Sequence, residues 1–534
     1  MNIETIALPR ELDHLPVVPG PETATIVERV IAHAAAMPRA RAITFVKEGD
    51  RHSGSFLSWH QVSLRMRSIG GFLQKYGASG SRAIIACPAG LDCAISFLGC
   101  LAAGWIPIPA PAPASSRRDS RLRAIVASSG ANMLLTTSAL PGMENAVPDC
   151  HGILIDRISD HLEASWEPTA AGSDDVAFLQ YTSGSTLEPR GVMVSHAALR
   201  AQLDALHATS GLCNGESIVS WLPLYHDLGL VGTFLHSIDV GAHLVLLPPA
   251  AFLRRPASWL EAVTKWRAVA TAAPNFAFDL CCRRISAGER NNLDLSSLRT
   301  LGSGGELVRA HTLNQFLNTF GPNGLSPAAL APSFGMAESV LMLSATPLTA
   351  RSVSGPRTIE ISARALELGR VCRPSSPEDE RSVVTCGGPI KGVELRIVDP
   401  DTGEFLAAGF VGEVWARGTT VALGYWGQSR DNAGTFGVRA ADGSGPWLRT
   451  GDLGFLVDGE LVVTSRRKEV IIVHGHNHFP TDIEHTVQAA DASLEPGAGG
   501  ALSAIGCRDS MTNCVPAARA PFPMNRWLCC CGAR

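Results

Sequence analysis

Across the first 460 residues, short apolar β-rich runs alternate with stretches of helical periodicity, and few folds accommodate that alternation. Strands that feed helices build sheets covered by helical layers, so a layered α/β architecture is expected. Thr23–Ala36 and Ser58–Tyr76 read as amphipathic helices. Ala83–Ala86 reads as a buried parallel strand followed by an Ala/Leu-rich helix through Leu101, and His243–Leu247 with Trp259–Trp266 continues the alternation. From Gly392 the rhythm changes. Val393–Val398, Gly412–Arg417 and Val421–Tyr425 read as short alternating strands between turns, which predicts a small β-barrel-like subdomain packed on the layers. A chain of 534 residues is too long for one compact core, so two or more domains are expected.

Charge and composition exclude several classes. A net charge of −4 gives no electrostatic case for nucleic acid or an anionic membrane. The most apolar stretch, Ala83–Ala114, is broken by Pro88, Asp92, Pro107, Pro109, Pro111 and Pro113, and so predicts no membrane span. Met1–Glu11 carries charges and lacks the apolar middle of a signal peptide. The 14 cysteines show no metal-like spacing, which together with the missing signal predicts a reducing, cytoplasmic setting.

The chemistry concentrates at Tyr181-Thr-Ser-Gly-Ser-Thr-Leu-Glu-Pro-Arg-Gly191. Thr182, Ser183, Ser185 and Thr186 bring four hydroxyls to one loop with Gly184, and Arg190 adds a fixed cation. Backbone N–H groups and short hydroxyl donors suit phosphate oxygens. Val176–Gln180 and Gly191–Ser195 read as flanking strands, so this is not the strand–loop–helix of a Walker site, and no Gly-Lys-Ser/Thr ending follows. A solvated hairpin loop is the plain alternative.

Residues 181–196 resemble the nucleotide loop of the adenylate-forming, acyl- and aryl-activating ligases. Trp221-Leu-Pro-Leu-Tyr-His-Asp-Leu-Gly-Leu230 and Ala273-Pro-Asn-Phe-Ala-Phe-Asp-Leu280 are most similar to the fatty acyl-AMP ligase branch. The resemblance runs from near residue 20 to near residue 500. It implies activation of a fatty acid by ATP and Mg²⁺ to acyl-AMP, with release of pyrophosphate. The acyl group would pass to an acyl carrier protein or polyketide synthase.

The same resemblance assigns roles. Thr182, Ser183, Gly184, Ser185, Thr186 and Arg190 would hold the β- and γ-phosphates. Glu338, in Ser333-Phe-Gly-Met-Ala-Glu338, would reach Mg²⁺ and the phosphates. Gly304 and Gly305 would let adenine lie against bare backbone, beside Phe334 and Gly335. Asp452, in Trp447-Leu-Arg-Thr-Gly-Asp452, would accept both ribose hydroxyls, and Arg466 would contact the ribose. His226 would lie beside the acyl carboxylate, which needs no base because it is already ionised at neutral pH. Trp221, Pro274, Phe276 and Phe278 would line an apolar acyl tunnel. The polar stretch 351–382, read from composition as a surface loop with a helical Ile361–Leu368 piece, resembles an insertion that restrains the mobile C-terminal domain.

Three domains are expected: a large adenylation domain over 1–463, a partial mobile domain over 464–500 after a hinge at 464–466, and a divergent Cys-rich tail over 501–534. Two departures stand out. Leu187-Glu-Pro-Arg190 replaces the Gly and Lys common in relatives. No lysine follows Lys468, so the late lysine that bridges carboxylate and α-phosphate has no counterpart, and an altered or truncated C-terminus is expected. That leaves two alternatives to the ligase: an acyl-CoA ligase, or a non-catalytic nucleotide- or acyl-binding remnant.

Overall fold

A computed structural model describes residues 24–47, 54–113, 120–148, 150–182, 189–473 and 476–478, with positions 483 and 487 and the strands 501–505 and 512–516. The helices begin where side chains satisfy the free N–H groups of a first turn. Thr25 and Glu28 form a capping box on Ile26–Ala36, and Ser58 with Gln61 does the same for Trp59–Leu73. Ser195 caps His196–Ser210 by accepting from the Ala198 N–H, and Gly211 ends that helix in the left-handed conformation.

Nine strands form the main sheet. Its parallel centre runs Leu330–Phe334, Thr300–Ser303, Ala270–Ala273, Ser217–Ser220, His243–Leu246 and Arg41–Phe45, with antiparallel strands at both edges. A second, all-parallel sheet holds Ile106–Pro109, Arg82–Ile85, Met133–Thr136 and His151–Leu154. The strands Val176–Thr182 and Arg190–Ser195 form a separate hairpin. Phe97 and Phe178 meet edge to face at 5.7 Å, and Phe97 meets Phe234 at 6.3 Å, joining a helix, the hairpin and a second helical segment in one core. Burying Phe178 contributes roughly 2–3 kcal/mol.

The change of rhythm at Gly392 becomes a four-stranded antiparallel sheet: Val393–Val398, Gly412–Gly418, Leu448–Val457 and Glu460–Arg466. Two expectations differ from what forms. Val421–Tyr425 is not a strand; it is an irregular segment that touches the hairpin through one Val192–Tyr425 bridge. The stretch 351–382 is more than a surface loop. Thr358–Ser362 pairs antiparallel with Glu380–Val384, and Ile361 and Leu366 bury against Phe455 and Val462 of the four-stranded sheet. Alternating Ile359 and Ile361 carried that signal, which the surrounding prolines and charges obscured.

Candidate active site

Parallel α/β sheets bind ligands beyond the carboxyl ends of their strands. Gly304, Gly305 and Gly335 stand there, following Thr300–Ser303 and Leu330–Phe334. A cleft of about 790 Å³ opens between this sheet edge, the hairpin and the four-stranded sheet. Thr182, Arg190, His226, Gly305, Gly335, Glu338, Asp452 and Arg466 all line it, drawn from across the sequence.

Thr182 and Arg190 are register partners at the open end of the hairpin. Ser183, Gly184, Ser185 and Thr186, expected to wrap phosphates, lie outside the described residues. The Arg190 Nε sits 3.0 Å from Asp431, and its guanidinium lies 5.3 Å from the Tyr425 ring centre. The Tyr425 hydroxyl donates to Glu338 Oε1 at 2.6 Å. Burial, and then the Glu338 charge, push the Tyr425 phenol well above its ordinary range, so it remains a donor.

Glu338 is buried on a single turn, Ala337–Ser339, and its carbonyl accepts the Ala422 N–H at 2.9 Å. Val340, two residues on, has a φ of +68°. A β-branched residue there is strained by about 1–3 kcal/mol, and such strain gathers at functional turns. Gly335 is required sterically: a Cβ there would stand 1.7 Å from the Leu341 carbonyl oxygen.

Asp452 and Arg466 face each other across paired strands, with Arg466 Nε 3.4 Å from Asp452 Oδ1. Burial raises the Asp452 carboxyl to about 6, against the opposing pull of Arg466. Beneath it, buried Glu413 accepts from Arg449 at 2.6 Å and from the Gly451 N–H at 3.1 Å, fixing the bulged segment before Asp452. Arg467 and Lys468 also line the cleft; partial burial, then the neighbouring Arg466, lower the Lys468 ammonium below its ordinary value. The strand Glu460–Arg466 therefore runs through the positions expected to pivot.

His226 stands at the start of the helical segment Asp227–Val240, its ring 4.8 Å from that of Tyr225. Burial, then Arg121, lower its pKa, so it is a neutral imidazole at neutral pH. Burial raises the Asp227 carboxyl to about 6, and it caps its own helix by accepting from the Leu228 N–H at 2.7 Å. Asp227, Gly305 and Gly335 line both the cleft and a closed slot of about 80 Å³ behind it, where Gly304 and Phe334 also lie.

The four aromatic and proline positions expected to line an acyl tunnel take a different place. Trp221 stacks on Phe252 at 3.9 Å, with Phe276 edge-on at 6.1 Å. Phe278 is fully buried against Trp259 and Phe316, and Pro274 caps the helix Asn275–Arg284. None of the four is among the residues lining the cleft or the slot. Aromatic spacing alone does not distinguish a tunnel wall from a packed core.

Tyr425, Asp227, Glu413 and Arg449 escaped sequence reasoning as cleft residues. Only the run Gly424-Tyr-Trp426, after an expected strand, hinted at Tyr425. Among the described residues no cluster of three His, Cys, Asp or Glu groups could hold a metal by protein ligands alone, and no helix is long and apolar enough to cross a membrane.

Comparison with known proteins adds independent evidence. Residues 31–426 match the family described as AMP-binding enzyme. The chain is 36% identical to the medium-chain-fatty-acid, acyl-carrier-protein ligase JamA of Moorena producens, over 90% of this chain and 83% of that protein. It is 37% identical to the 4-hydroxyphenylalkanoate adenylyltransferase of Mycobacterium marinum, over 81% and 72%. Among solved structures, the fatty acyl-adenylate ligase of L. pneumophila in complex with acyl adenylate and pyrophosphate matches with a TM-score of 0.79 and 33% identity, covering 90% of this chain and 84% of that one.

Proposed function

Because this chain belongs to the AMP-binding enzyme family, we propose that it is a fatty acyl-AMP ligase, which joins a fatty acid to the AMP moiety of ATP and releases pyrophosphate. The observation that carries this reading is the junction at Asp227, Gly305 and Gly335. There a polar, cation-lined cleft meets an apolar-walled slot, as a molecule with an adenylate at one end and an acyl chain at the other requires.

In the reaction one carboxylate oxygen forms a bond to the α-phosphorus, and the bond from that phosphorus to the pyrophosphate oxygen breaks. Two anions must meet, so cations have to offset the developing charge. Arg190 supplies one at the hairpin mouth, beside Thr182 and the hydroxyl-rich loop it helps anchor. Asp452 and Arg466 hold the ribose, and Phe334 with Gly304 and Gly305 forms the adenine wall. His226, neutral, orients the acyl carboxylate without removing a proton.

Mg²⁺ fits the residues present: it is ordinarily held by one or two carboxylates plus substrate phosphates, and Glu338 offers one such carboxylate inside the cleft. When bound there it would neutralise phosphate charge. Tyr425 keeps Glu338 oriented by its hydrogen bond.

The acceptor is an acyl carrier protein, a reading supported by the likeness to a ligase named for that acceptor. The hairpin at 358–384 packs on the strand that leads to Arg466, as a restraint on the following residues would. The nine described cysteines are free thiols, in keeping with a cytoplasmic enzyme.

Pyrophosphate release from ATP, Mg²⁺ and a fatty-acid series tests the activity, with acyl-AMP identified by mass spectrometry. Glu338→Gln is expected to lower the rate about 10²–10³-fold. Fatty-acid-independent release, or an unchanged Glu338→Gln rate, would sink the reading. Offering coenzyme A and a carrier protein side by side decides the acceptor.

A further inference from the structure

The slot has two unlike ends. Its entrance is shared with the cleft at Asp227, Gly305 and Gly335, and its walls are mainly Leu206, Ile218, Leu228, Ala272, Leu341 and Met342. Deeper along the same helical segment the lining turns polar: Thr209, Ser210, His236 and Thr300. These four are mutually linked, since the Thr300 hydroxyl donates to the Ser210 carbonyl at 3.0 Å and the His236 Nε2 lies 3.4 Å from Ser210 Oγ.

His236 is 1% exposed, and burial drives its pKa down to about 4, so the ring is neutral. Its other ring nitrogen donates to the Gly232 carbonyl, which leaves Nε2 as an acceptor. The one partner of Nε2 is the long Ser210 contact, and the Ser210 hydroxyl already accepts the Leu212 N–H at 3.1 Å. A buried acceptor so weakly served is costly unless something else donates to it. The wall carrying it is also unusual. Leu230–Leu235 forms a π-helix between two α-helical pieces, a wide turn that recurs at functional sites.

Resting on the acyl-adenylating reading, we propose that this slot selects an acid of modest length carrying a hydroxyl at its far end, ω-hydroxyacyl or hydroxyaryl-alkanoyl, which donates to His236 Nε2. The apolar walls take the chain, and the hydroxyl gives the buried imidazole the donor that Ser210 supplies poorly. A volume of about 80 Å³ is well below the roughly 300–1,000 Å³ of ordinary ligand pockets, which sets the site against long unbranched chains.

The test uses non-hydrolysable acyl-sulfamoyl adenosines, so binding is read by calorimetry on the full chain without turnover. Three probes suffice: acetyl, octanoyl and 8-hydroxyoctanoyl. Wild type is expected to prefer 8-hydroxyoctanoyl over octanoyl by about tenfold, the worth of one net hydrogen bond. His236→Phe should erase that preference and leave the acetyl probe's affinity unchanged. His236→Gln, which keeps an acceptor, should retain part of it and guards against misfolding of the Phe variant. Equal or tighter octanoyl binding in wild type, or a preference that survives in His236→Phe, overturns the proposal while leaving adenylation intact. Failure of all three probes to bind overturns the adenylation reading, and this proposal with it.

Discussion

The Tyr425 hydroxyl and the Glu338 carboxylate are joined by a 2.6 Å hydrogen bond between residues 87 positions apart. The bond ties an irregular segment after the small sheet's second strand to a strained turn at the edge of the main sheet. One residue thereby orients the carboxylate and floors the Arg190 guanidinium.

Tyr425→Phe is expected to destabilise the fold by about 1.5–3 kcal/mol, because a buried, charged acceptor loses its donor. It should also raise the Mg²⁺ concentration needed for half-maximal pyrophosphate release. Urea unfolding and a Mg²⁺ titration check both, and an unfolding midpoint equal to wild type would refute the role.

Arg190 tests the separation of chemistry from stability. Its ion pair with Asp431 is substantially exposed, 27% and 42% for the two side chains, so Arg190→Ala should cost under about 1 kcal/mol. Loss of the cation should nonetheless cut turnover about 10²–10³-fold. A variant that unfolds as readily as it loses activity would make Arg190 a structural residue.

Asp452 gives nucleotide binding a pH signature. With its carboxyl raised to about 6, protonation on acidification removes acceptor capacity that the ribose hydroxyls need. AMP affinity should fall about tenfold from pH 7.5 to 5. Asp452→Asn should bind AMP more weakly and vary little over that range; a variant that keeps the wild-type slope would assign the titration elsewhere.

Stability should carry two opposed pH slopes. His236 and His243 are lowered to about 4 from 6.5, so the unfolded chain takes up protons first and their contribution is lost as pH falls from 6.5 toward 4. Asp227 and Asp452 are raised to about 6 from 3.8, so their contribution is greatest at low pH and is lost as pH rises through 6. His243→Gln should therefore flatten the acid limb, and Asp452→Asn should steepen it. Urea midpoints between pH 4 and 7 measure this, and parallel curves for the three proteins would contradict it.

Much of the fold was legible because periodicity is local. Val393–Val398 forms as the alternation predicts, and Ser58 begins its helix through a capping box visible in the sequence. Val421–Tyr425 misled because alternation there serves contacts to the hairpin and Glu338 rather than a ladder. Thr182, Glu338 and Asp452 could be named from motifs, since each sits in a run with recognisable composition. Tyr425 and His236 could not: each matters through a partner or a cavity distant in the chain, and a lone buried histidine or tyrosine reads as core. Trp221 and Phe278 erred the other way, as core residues mistaken for a tunnel.

Asp227, Gly305 and Gly335 form a partition with a space on each side. A product lodged across it is gripped at both ends, and neither end can leave alone. Mixed anhydrides are short-lived in water, so a protein built this way acts as custodian of its product as much as its maker. Its slow step is then expected to be surrender, which waits on the arrival of a recipient.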